Sequence, residues 1–104
     1  MLIKTIQTLL RRDLNKLKTE ISAYKDENNL WLVKKGITNS AGNLCLHLIG
    51  NLNTYIGAEI GKTGYVRHRD LEFSLKNIPR QELLDKIDQT IQVVETALDG
   101  LNEN

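Results

Sequence analysis

Cysteine is nearly missing from this chain, as are proline, tryptophan, phenylalanine and methionine; each occurs once in 104 residues. The single cysteine, Cys45, excludes an intrachain disulfide. In an apolar helical run it reads as a small buried hydrophobe, and a reducing cytoplasm is the expected compartment. The single proline, Pro79, stands at the start of a helical pattern, where proline fits. Aromatics make up only 5% of the residues, so no stacking platform accompanies the basic side chains. Neither sign of charge dominates: 14 basic against 13 acidic residues give a net charge of +1. Nucleic acid and anionic membranes are therefore not expected partners. No apolar run approaches the length of a membrane span, and the N-terminal MLIKTIQTLLRRDLNK reads as mature chain, not as a signal peptide. Histidine occurs twice, as His47 and His68, which restricts any metal chemistry from the outset. The length suits one domain with a modest core.

What is present is helical. The stretch SAGNLCLHLIGNLNTYIGAEI, residues 40–60, holds the richest apolar run. Cys45, Leu48, Leu52, Ile56 and Ile60 follow steps of three and four, the period of a helix. Around Leu44 to Ile49 the apolar character covers most of the circumference, so this helix needs cover on most sides. Asn43, His47 and Asn51 stand four apart and form one polar line along it. Two meanings stay open for that line: a solvent face, or an inward line that holds a ligand or a metal. Gly50 and Gly57 cost helix stability, which suggests a close neighbour on that side, within the chain or from a second subunit.

A first helix over residues 3–24 carries Ile3, Ile6, Leu10, Leu14, Leu17, Ile21 and Tyr24 at near-heptad spacing. Residues 26–39 read as a connection. Trp31 within it either plugs the end of the bundle or lines a pocket. Asn39 or Ser40 caps the second helix. The turn Gly61-Lys62-Thr63-Gly64 is not a phosphate loop: the spacing is wrong, and it ends a helix, where the dipole opposes an anion. Residues 65–77 read as a charged connection. Phe73 pins it to the bundle, and Arg67 and Arg69 either clamp an anion or fasten the loop. A last helix over residues 79–98 shows a stripe of Leu84, Ile87, Ile91, Val94 and Leu98.

The expected fold is all-α: an up-down bundle of three long helices, near 3–24, 40–60 and 79–98, in a single domain. Two flanking helices leave the middle one partly bare. The expectation is that a partner subunit or a missing helix completes the bundle, with a homodimer the favoured assembly.

The run GITNSAGNLCLHLIGNLNTYIGAEIGKTGYVRHRDLEFS, followed by PRQELLDKIDQTIQVV, resembles the DinB-like superfamily, and within it a bacterial branch without assigned activity. The resemblance covers most of the chain and is strongest over residues 40–74. It implies a four-helix bundle, often dimeric, in longer chains than this one. In the wider superfamily three histidines hold a divalent metal, one on the second helix and two on the last. Members include thiol-dependent transferases and hydrolase-like proteins. The first ligand corresponds here to His47. The other two have no equivalent, since His68 does not match by position. The chain thus reads as a shortened member lacking the last helix and its two histidines. Two functions follow as expectations: a non-catalytic or vestigial domain that self-associates without cofactor, or a zinc- or nickel-dependent transferase or hydrolase with the remaining ligands from another chain. The candidate residues are His47 for a metal, Arg67 and Arg69 for an anion, and Trp31, Asn43, Asn51 and Tyr55 as pocket lining.

Overall fold

A computed structural model describes residues 2–101. The first helix, α1, spans Leu2–Ser22. A 3₁₀ turn, Glu27–Trp31, follows. Helix α2 spans Ala41–Leu52 and runs directly into a π-helical turn, Asn53–Ala58. A short helix, α3, occupies Arg69–Ser74, and α4 spans Arg80–Asp99. Among the described residues no helix is long and apolar enough to cross a membrane.

Two expectations need correction. The chain does not supply three helices that wait for a fourth: the described residues hold four α-helices. Nor is the last helix missing. It is α4, and it carries no histidine. The overlooked member is α3, which lies in the segment read as a charged loop. Six residues are too few for a periodic apolar stripe, and its most buried side chain is an acid, Glu72. Together with the 3₁₀ turn, α3 provides cover for α2 that had been assigned to a partner.

The directions of the four members follow from their contacts. Gln7 donates through Nε2 to the carbonyl of Glu95 at 3.1 Å, and Lys18 Nζ meets Asp88 Oδ1 at 2.6 Å. Helix α1 is therefore antiparallel to α4. Asn53 donates to Thr90 Oγ1 at 3.0 Å, and Gly57 and Gly61 lie against Val93 and Ala97. Helix α2 with its π turn is thus parallel to α4. Between them the chain returns along α2: Glu72 and Leu75 come back to the level of Asn43. The arrangement is up-down in four members, with the third one short.

The core gathers Leu14, Ile21, Leu30, Trp31, Cys45, Leu46, Ile49, Leu83 and Ile87. Helix α4 packs against both α1 and α2, so it is the hub of the long helices. The ends are fastened by polar groups. Ser40 Oγ accepts from the Asn43 amide at 3.1 Å and caps α2. Glu27 Oε2 accepts from the Arg80 amide at 2.8 Å at the start of α4. Arg80 in turn donates to the carbonyls of Ser22, the last residue of α1, and Tyr24, just past it, at 3.2 and 2.5 Å.

Candidate functional site

The π turn and its glycines set how α2 meets α4. Backbone bonds from Glu59 to the Thr54 carbonyl and from Gly61 to the Ile56 carbonyl reach back five positions. A Cβ on Gly57 would lie 2.9 Å from Val93 Cγ1, and one on Gly61 would lie 2.8 Å from Ala97 Cβ. The close neighbour inferred at Gly57 is therefore α4 of the same chain.

Gly50 has a different task. A Cβ there would fall 1.8 Å from Glu72 Oε2, so the carboxylate of α3 fills the space a side chain would need. Glu72 is buried at this seat, with its side chain 7% exposed. Arg67 reaches it with both arms of its planar fork: Nε to Oε2 at 2.8 Å and a terminal nitrogen (Nη2) to Oε1 at 3.0 Å. His47 Nδ1 lies 3.1 Å from Oε1 and 3.3 Å from the same terminal nitrogen of Arg67. The Phe73 ring lies beside the imidazole, centroids 5.1 Å apart. One helix turn away, Asn43 is fully buried. Its amide nitrogen donates to the carbonyls of Glu72 and Leu75 at 3.0 and 2.8 Å, and its oxygen accepts from Ser40 Oγ and Lys76 Nζ, both at 2.6 Å. α3 and the residues after it are thus tied to α2 by a polar network with the Phe73 ring beside it.

The electrostatics are consistent with a committed ion pair. Burial pushes the Glu72 carboxyl up, but the hydrogen bonds and charges of Arg67 and His47 outweigh it and hold the group below the ordinary carboxylate range. The Glu72 hydrogen bond raises Arg67 further above its already high value. The imidazole has two arrangements. With the proton on Nδ1 it donates to Glu72 and turns a free electron pair outward at Nε2. With the proton on Nε2 it accepts at Nδ1 from Arg67. Its side chain is 30% exposed.

The candidate residues do not converge. His47 and Arg67 meet in this cluster, but Arg69 opens α3 on the exposed side and is not part of it. Asn43 serves the backbone of the return segment. Asn51 is half-buried and Tyr55 is half-exposed on the π turn. Trp31 lies in the core with its ring over Gly42, where a Cβ would come within 2.8 Å of it. Cys45 is buried, which pushes its thiol up to about 11, so it stays protonated near neutrality. The residues the sequence reading missed in these roles are Glu72 and Gly50. A glycine one turn from a histidine on an apolar helix was the available signal, but it does not say which side chain fills the gap.

The donor set does not fit a zinc or nickel ion held by this chain alone. Both Glu72 oxygens carry hydrogen bonds from Arg67 or His47, and a cationic fork lies beside the ring nitrogen. Among the described residues no group of three or more His, Cys, Asp or Glu side chains is placed to hold a metal.

With this geometry in place, comparison with known proteins adds one match. The family model described as "Protein of unknown function (DUF1572)" covers residues 2–104. No curated protein and no solved structure matches the chain.

Proposed function

Since the chain belongs to the DUF1572 family and is DinB-like in its all-α, four-helix character, we propose that it is a non-catalytic helical domain that self-associates. The observation that carries the non-catalytic part is the engagement of His47. Its ring nitrogen faces a buried carboxylate already paired with arginine, and it serves to fasten α3 to α2. Self-association is supported by a face outside the core. Leu44 and Leu48 on α2 are 47% and 45% exposed, Tyr55 on the π turn is 52% exposed, and Leu32, Val33 and Ile37 stand out on the neighbouring connection. Leu32, Ile37 and Leu44 line one common groove there, and contiguous apolar exposure of this kind favours an interface. A second copy joined two-fold along Leu44 and Leu48 is the proposed occupant. The near-neutral charge and the lone buried thiol support a cytoplasmic setting without nucleic acid.

Sedimentation equilibrium of the wild-type chain beside Leu48→Asp tests this reading. A dimer that becomes a folded monomer on substitution is expected. A wild-type chain that stays monomeric at high concentration contradicts it.

One observation favours the second reading, metal-dependent transfer or hydrolysis. A carboxylate on Nδ1 would aim Nε2 outward as a donor, as in many metal sites. The remaining ligands would have to come from another polypeptide. Stoichiometric zinc or nickel in the purified protein, lost in His47→Ala, would replace the non-catalytic reading by this one.

A further inference from the structure

A small cavity of about 210 Å³ lies beneath α3, between the return segment, α2 and the start of α4. That is the liquid volume of roughly seven water molecules, the size of a small metabolite. Its floor is apolar: Leu46 and Ile49 of α2, both buried, with Ile78. Leu71 and Leu75 form a wall. The backbone of this wall is tied to α2, because Asn43 holds the carbonyls of Glu72 and Leu75. Tyr65 lines the cavity too, and its charged or titratable lining on the solvent side is His68, Glu82 and Lys86. None of these three side chains makes a hydrogen bond or ion pair with the described residues, although Glu82 and Lys86 are one turn apart on α4 and opposite in charge. The one acid that reaches the cavity from α3, Glu72, is already neutralised by Arg67.

We propose that this cavity binds a free aliphatic α-amino acid, with a branched side chain on Leu46, Ile49 and Ile78, its ammonium at Glu82 and its carboxylate at Lys86. An apolar floor with one unengaged charge of each sign at the rim matches a zwitterion carrying a short hydrocarbon chain. A fatty acid or a simple amine would leave one of the two charges unmatched.

The test is a ¹⁵N-resolved titration of the whole chain with L-leucine, glycine, 4-methylpentanoate and 3-methylbutylamine. L-Leucine is expected to shift the amides of Leu71, Leu75, Ile78, Glu82 and Lys86 saturably. Shorter side chains should bind more weakly, by about fourfold for each methylene lost. The two analogues that lack one charge should each bind about tenfold more weakly or worse. Glu82→Gln and Lys86→Gln, both surface changes that leave the melting temperature in place, should each weaken leucine to a similar degree. Leu71→Trp, which fills the mouth, should abolish the shifts. No saturable shift with leucine would overturn the proposal. So would equal binding of leucine and 4-methylpentanoate, or leucine binding unchanged in both charge variants.

Discussion

Helix α2 packs against two other helices, α4 and α3, and treats them in opposite ways. Toward α4 it presents Gly57 at the π turn and Gly61 just beyond, and the helices close on Val93 and Ala97 with one polar link, Asn53 to Thr90. Toward α3 it presents Asn43, His47 and Gly50, and what comes to meet them is a carboxylate, a guanidinium and backbone carbonyls. Glycine serves both contacts for different reasons: on one side to let helices approach, on the other to make room for Glu72. An apolar seam tolerates moderate misfit at a modest energetic cost. A buried ion pair does not, because a partner left alone keeps its desolvation cost. The first contact should thus govern global stability, and the second the placement of one short helix.

Three substitutions probe the two contacts, and a fourth, on the exposed α1–α4 face, sets the small end of the scale. Ile87→Ala removes a fully buried side chain from α4 and should cost about 2–5 kcal/mol of global stability, read by urea unfolding. Gly50→Ala forces a methyl group onto the Glu72 carboxylate and should cost about 1–3 kcal/mol. Its cost should appear as faster amide exchange confined to residues 67–76. It should shrink in a Glu72→Ser background, since the clash is then gone. Glu72→Gln should flatten the acid limb of the stability curve. The folded-state pKa of Glu72 lies below its unfolded value near ~4.3, so its contribution is present above that pH and fades as pH falls through the folded value. Lys18→Ala breaks an exposed pair with Asp88 and should change stability by about 1 kcal/mol or less.

This division also explains what could be read from the sequence. Of the stripe Leu84, Ile87, Ile91, Val94 and Leu98, Ile87, Val94 and Leu98 are buried and Leu84 and Ile91 are half-buried against the core, because helical packing writes its period into the chain. Gly57 signals a close crossing because glycine inside a helix needs a reason. α3 leaves no such trace. It has one and a half turns, its buried residue is charged, and Leu71 and Leu75 remain part-exposed beside a cavity. Overlooking it led to the expectation that a partner or a missing helix must cover α2. The polar line of Asn43, His47 and Asn51 was visible, but not what it faced. Asn43 and His47 meet a segment that begins some twenty residues later, and their partners include carbonyls, which carry no side-chain signature.

The central claim is that Glu72, seated at Gly50 and paired with Arg67 and His47, fastens α3 to α2. A carbon-detected NMR titration of the Glu72 carboxyl tests it most directly. The expected result is a midpoint below the ordinary carboxylate value, with the His47 ring responding to the same event. A midpoint at the ordinary value, with residues 67–76 exchanging their amides as an open loop, would contradict it.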